Sequence, residues 1–197
     1  MRRILTVMLV ALSLGTMAGP AAAQGFSYRY GQVTYDLPDF GGYDGDGFGF
    51  AGSFEVTPDI FVQGALRFWD LDAGSDVDGW EIGGGYRRAL NAKTDLYGTF
   101  SIGNYDFGTI SASILGFTVG IGLDQDFWAL RGGVRHRLQN NMEVGGTVGF
   151  VNYDPGDTEF EIGINGQYYF NSNLAGYAAL SFSDPLDLIS LGVRYYF

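Results

Sequence analysis

Leu188-Ile-Ser-Leu-Gly-Val-Arg-Tyr-Tyr-Phe197, the last ten residues, decide the fold. Taken alternately, Ile189, Leu191, Val193, Tyr195 and Phe197 form one apolar row, and Ser190, Gly192, Arg194 and Tyr196 form a small or polar one. Side chains of a strand point to opposite faces with period two, so this stretch predicts a strand with one greasy and one wet side. An edge strand of a soluble sandwich would alternate as well. The rest of the chain separates the two readings.

Working back from that end, the same rhythm predicts ten strands near Phe26–Asp36, Gly47–Val56, Ile60–Trp69, Gly79–Leu90, Asp95–Tyr105, Phe127–Leu138, Met142–Tyr153, Glu159–Phe170, Leu174–Ser183 and Leu188–Phe197. One row of each is apolar, as in Ile60/Val62/Leu66/Phe68, Trp128/Leu130/Val134 and Phe160/Ile162/Ile164. The opposite rows carry Arg and Glu spaced by glycine, where a soluble sandwich would show many Lys and Glu on its outer face. Apolar outside and polar inside is the pattern a lipid-facing barrel needs. The first strand fits poorly. With Tyr28 and Tyr30 outward, Gln32 and Thr34 would also face lipid, which predicts a bulge or a register change.

The connections point the same way. Thr57-Pro58-Asp59, Asn91–Thr94, Gln139–Asn141 and Asn171–Asn173 are minimal and rich in turn formers. The other five, Leu37–Asp46, Asp70–Asp78, Asp106–Asp126, Asp154–Thr158 and Asp184–Asp187, read as longer or acidic loops. Fifteen of seventeen aspartates lie in or beside these five, and all five glutamates lie on inward rows. Short turns in the periplasm and longer loops outside are the arrangement expected of an outer-membrane barrel. Gly108–Leu123 is apolar enough for an eleventh strand, but single-chain bacterial barrels have even strand counts, so it reads as a loop or an extension of its neighbours.

The first residues read as an export address: Arg2 and Arg3, an apolar Ile4–Leu14, and Ala21-Ala22-Ala23 before Gln24. Residues 1–23 are therefore expected to be a cleaved signal peptide and residues 24–197 a single barrel domain. There is no cysteine, so neither a disulfide nor a lipidated amino-terminus is available. Thirty-two glycines and twenty-nine Phe plus Tyr stand beside a single lysine, Lys93, a composition of strands and turns. Without Arg2 and Arg3, nine basic residues face twenty-two acidic ones, a net charge of −13 that repels nucleic acid and attracts cations.

Together, the leader, the ten alternating segments, the glycine-aromatic content and the terminal Tyr195-Tyr196-Phe197 resemble the small outer-membrane β-barrel proteins of Gram-negative bacteria. Within that group the chain is most similar to the opacity-protein and OmpX-like barrels and a related quorum-factor family. The resemblance implies an all-β, antiparallel transmembrane up-and-down barrel of about ten strands, with eight or twelve as alternatives. It also implies an outer-membrane location, and Tyr195 and Phe197 as an assembly signal read by periplasmic chaperones and the barrel-assembly machinery. The role it implies is structural, adhesive or that of a narrow pore, with a minority of relatives being enzymes.

The inward rows are where mechanism is expected. Arg29, Arg67, Arg87, Arg131, Arg135, Arg137 and Arg194 share them with Glu55, Glu81, Glu143, Glu159 and Glu161. Desolvating each charge alone costs several kcal/mol, so these groups should pair, and an Arg fork can hold two carboxylates. Such a network would fill the lumen; the alternative is a constricted passive channel for small solutes. An enzyme would need a base beside a nucleophile. His136, near the turn at Gln139 on an outward row, reads instead as an interfacial residue. Asp70, Asp72, Asp76 and Asp78, like Asp44 and Asp46, resemble alternating oxygen ligands without the glycine and glutamate of an EF-hand. They could bridge to lipopolysaccharide through divalent cations. No cofactor or nucleic-acid partner is expected, and the protein is expected to be a monomer.

Overall fold

In the computed structural model, which describes residues 25–72, 75–114 and 117–197, ten strands close into a single antiparallel barrel. They are β1 (Tyr30–Phe40), β2 (Tyr43–Glu55), β3 (Ile60–Leu71), β4 (Ser75–Asn91), β5 (Thr94–Ile114), β6 (Phe117–Gln139), β7 (Met142–Asp154), β8 (Thr158–Tyr169), β9 (Leu174–Phe182) and β10 (Leu186–Tyr196). Each strand pairs with its sequence neighbours, and β1 pairs with β10 to complete the ring. The expected signal peptide lies outside the described residues.

The apolar rows face outward. Ile60, Val62, Leu66, Phe68, Trp128, Leu130, Val148, Phe150, Phe160, Ile162 and Ile164 are all exposed, along with their counterparts on the other strands. A soluble protein would not leave a continuous apolar girdle in water. Along β6 the row runs from Trp128 to Leu138, about 34 Å of strand at about 3.4 Å per residue. A barrel tilt of about 40° reduces this to about 25 Å, the height of a lipid-facing band. The fold is a transmembrane barrel.

Two sequence expectations need correction. First, β1 begins at Tyr30, not Phe26, and its parity is the reverse of that expected: Thr34 and Asp36 are buried inside while Tyr35 and Leu37 face out. Gln32 and Thr34 therefore never face lipid; Phe26 and Tyr28 belong to a segment preceding the strand. Second, three of the five long connections, Leu37–Asp46, Asp70–Asp78 and Asp106–Asp126, are mostly strand, while Asp154–Thr158 and Asp184–Asp187 are short turns. β1 and β2 stay paired up to Phe40 and Tyr43, around Gly41 and Gly42 with φ of +62° and +88°, values that suit glycine in a tight hairpin turn. Of the two alternatives for Gly108–Leu123, the described residues follow the second: β5 runs to Ile114 and β6 starts at Phe117, so the segment extends its neighbours.

These extensions divide the barrel into two sections of opposite polarity. At the end with both termini, the outside is apolar and the inside is charged. At the other, hairpin end, the same outward rows switch to Asp46, Asp70, Asp76, Asp78, Asp106, Asp124, Asp126 and Asp154, all exposed. The inward rows there switch to Trp69, Leu71, Val77, Tyr105, Phe127, Val151, Tyr153 and Leu186, all buried. Beyond the lipid band the barrel is built like a water-soluble one, with acid outside and a hydrophobic core inside. The switch from Phe68 to Asp70, and from Trp80 to Asp78, marks where lipid gives way to water.

Candidate functional site: the barrel interior

The interior is filled in layers. At the terminal end, residues 25–29 enter the mouth without joining a ladder, and Phe26 and Tyr28 are buried there. The Tyr28 ring lies 4.6 Å from that of Phe61 and 6.3 Å from that of Tyr97. Arg135 sits 4.9 Å over the Phe26 ring and 4.6 Å over the Tyr28 ring, and Arg87 lies 5.0 Å over Tyr28. Three arginines donate to successive backbone carbonyls: Arg137 to Gly25 at 3.3 Å, Arg87 to Phe26 at 2.7 Å and Arg135 to Ser27 at 2.9 Å. Glu55 accepts from the Tyr28 amide at 3.0 Å. Burial pushes the Tyr28 phenol above its ordinary pKa, so it stays neutral.

Behind this floor the charges pair within two groups. Arg135 donates through Nε and Nη2 to the two oxygens of Glu143, at 2.6 and 3.2 Å. Glu143 also accepts from Gln167 at 3.0 Å and from the Tyr169 hydroxyl at 2.8 Å, so four donors share one fully enclosed carboxylate. Higher up, Arg131 grips Glu161 at 2.8 and 3.0 Å and reaches Glu81 at 2.7 Å. Ser101 at 2.7 Å and Arg67 at 3.3 Å complete the Glu81 shell. Bidentate forks of this kind suit a desolvated interior, because Arg131, Arg135, Glu81 and Glu143 each keep several partners. Arg87 is held by Asp95 at 3.1 Å and by Glu55 at 3.6 Å.

The other expected lumen charges lie elsewhere or stand alone. Arg29 is not inside: it precedes β1, its side chain is 44% exposed, and it lies 4.8 Å over the outward ring of Phe54, 3.8 Å from Glu55. β1 starts one residue later and turns its even-numbered residues inward, so Arg29 falls on the outward parity. Glu159 is on an inward row toward the hairpin end and has no ion pair among the described residues. Arg137 meets a carbonyl and the Phe26 ring at 5.0 Å. Arg194 has no carboxylate partner among the described residues. It donates to Gln32 at 2.8 Å between the rings of Tyr30 at 3.9 Å and Tyr177 at 4.6 Å. Tyr195 faces out, and Phe197 lies just past the end of β10.

Two buried carboxylates were missed. Asp36 accepts from Trp69 Nε1 at 3.2 Å, and Asp95 holds Arg87; the sequence reading puts each at the end of a strand, beside a connection, and outside the lumen network. The alternation Val33/Tyr35/Leu37 against Gln32/Thr34/Asp36 already carried the signal for Asp36.

Toward the hairpin end the lumen is narrowed by stacked rings: Trp69 on Tyr105 at 5.7 Å, Tyr105 on Phe127 at 5.3 Å, and Phe127 beside Tyr153 at 6.1 Å. Room for the rings comes from inward glycines on neighbouring strands. A Cβ on Gly79 would strike the Tyr105 ring, and one on Gly103 the Phe127 ring. Between the two floors lies a cavity of about 300 Å³. It lies against β1, β2, β9 and β10, whose inward residues are small, such as Thr34, Gly49, Ala51, Ala179, Ser181 and Ser190. Arg67, Arg131, Glu81 and Glu161 form its charged wall.

His136 is on the outward side of β6, bonded through Nδ1 to the Thr94 hydroxyl at 3.0 Å. No group of three or more His, Cys, Asp or Glu among the described residues is arranged to hold a metal ion.

No family model matches this sequence, and no curated protein matches it. Among solved structures, the chain is similar to a KdgM porin at 13% identity, covering 84% of this chain and 99% of that one with a TM-score of 0.49. It is similar to the translocator domain of the autotransporter NalP from Neisseria meningitidis at 15% identity, covering 100% and 96% with a TM-score of 0.48. A NanC porin is 7% identical, with coverage of 85% and 100% and a TM-score of 0.46.

Proposed function

We propose that this chain is a closed, non-enzymatic outer-membrane barrel with a structural or surface-interaction role. The observation that carries this reading is the filling of the lumen by side chains at two levels. One is Tyr28 on Phe61, clamped by Arg135. The other is the stack of Trp69, Tyr105 and Phe127. These layers and the ion pairs between them narrow the lumen to a chamber of about 300 Å³. The leader-like first residues and the resemblance to opacity-protein and OmpX-like barrels support the outer-membrane location. Minimal turns and both termini would then face the periplasm, and the acidic section would face outward.

On this reading the hairpin section is the surface that meets the environment. Its partners are the lipids around the apolar girdle and, bridged by divalent cations, lipopolysaccharide phosphates beside the acidic collar. Tyr195 and Phe197 serve the barrel-assembly machinery, and the working form is a monomer.

The second reading, a narrow channel, is favoured by the charged wall of the central chamber. Conductance in planar bilayers separates the two. A closed barrel gives no large steady current, whereas regular single-channel steps from the purified chain would make the channel the leading function.

A further inference from the structure

We infer that the terminal mouth of the barrel is a peptide-binding site, filled here by the chain's own Phe26-Ser27-Tyr28, and that this segment is the removable stopper of the central cavity. The inference rests on reading the terminal end as a solid floor.

The mode of recognition is that of a bound peptide. Residues 25–29 contribute to no ladder. Three arginines read three consecutive carbonyls, and Glu55 reads one amide, contacts that any extended backbone would satisfy. Specificity comes from rings at alternate positions: Phe26 under Arg135 and Arg137, and Tyr28 between Phe61 and Arg135. The ligand class is therefore an extended aromatic-X-aromatic peptide.

The site is also fit to stand empty, as a core would not be. With the segment removed, Arg135 keeps both contacts to Glu143, and Arg87 keeps Asp95 and Glu55. Tyr97 keeps its bond to Thr147 at 2.8 Å. Of the wall's cations only Arg137, at the rim, loses its contacts, to Gly25 and the Phe26 ring, while Arg87 and Arg135 keep carboxylates, so the cost that usually locks a polar core together is small. The fit of the segment is also incomplete, since the buried Tyr28 hydroxyl has no hydrogen-bond partner. A preorganised wall holding an imperfect ligand is the condition for exchange.

Gln63 provides the test. It lies one inward step beyond Phe61 and lines the cavity just behind the floor, and the chain has no cysteine of its own. The full chain carrying Gln63→Cys is refolded in liposomes and reacted with a small cationic methanethiosulfonate. The same is done with Phe26→Ala and Tyr28→Ala added, folding of both being verified by heat-modifiable migration. We expect slow labelling of the first and labelling at least tenfold faster in the second. The synthetic peptide Gln-Gly-Phe-Ser-Tyr-Arg should restore protection in the second, and Gln-Gly-Ala-Ser-Ala-Arg should not. Equal labelling rates would overturn the stopper, and a peptide that gives no protection would overturn the binding site. If the double variant fails to fold, the segment is core and the inference is wrong. Steady current from the unmodified chain would count against the closed barrel without touching the peptide result.

Discussion

Glu143 is held by Arg135 through two contacts, at 2.6 and 3.2 Å, in the most enclosed ion pair of the barrel. Replacing Glu143 by Ala strands the guanidinium together with the donors of Gln167 and Tyr169. Breaking a buried pair from one side costs about 3–5 kcal/mol. Glu161→Ala should cost less, because Arg131 retains Glu81 at 2.7 Å. Urea titration of both variants in liposomes measures the order. A Glu143→Ala barrel as stable as the parent would mean that water fills this site.

The two faces should respond differently to charge. Leu130 is 55% exposed on the lipid side, and Leu130→Arg is expected to cost about 2–4 kcal/mol if it lies near the midplane. Ala179→Arg points into the central cavity, where about 300 Å³ is open beside Glu161, and should cost clearly less. The same titration decides between them, and a reversed order would mean that the cavity does not admit a long side chain.

Asp70 stands directly opposite Asp46 on one side and Asp76 on the other. Like charges facing one another across strands destabilise a sheet by about 0.2–1 kcal/mol. Asp70→Asn is therefore expected to stabilise the barrel by a few tenths of a kcal/mol, up to about 1, in low salt. In about 1 M salt, where screening acts over about 3 Å, the gain should disappear. A gain unchanged by salt would point to a cause other than repulsion.

Deleting Phe197 removes the residue whose amide donates to the Arg29 carbonyl at 3.4 Å, at the junction of the two termini. Assembly in cells should fall, seen as loss of the folded, heat-modifiable band in membrane fractions. Parent-like folded yield from the deletion would remove Phe197 from the insertion signal.

The alternation made strand number, facing and closure legible, because lipid enforces the two-residue period on every strand inside the band. Outside the band that constraint inverts, so Asp70 and Asp78 read as loop although both are paired in strands. Proximity between strands was hidden as well. No spacing in the chain reveals that Arg131 meets Glu81 and Glu161, or that Arg135 chooses Glu143, since register and side-chain reach decide these pairs. Phe26 and Tyr28 misled for a simpler reason. Two aromatics at alternate positions look the same whether they face lipid or turn into a mouth.

The ladder between β1 and β10 runs from Tyr30 opposite Tyr196 to Phe40 opposite Leu186. Every other ladder joins consecutive strands and can zip from its own turn. This one must wait until nearly the whole polypeptide has been laid out, and contacts so distant in sequence form slowly. Until it forms, β1 and β10 each present a row of unpaired amides and carbonyls, the kind of edge to which a second chain can add. The barrel's vulnerability is therefore kinetic and brief: it lies in the interval before its first and last strands meet.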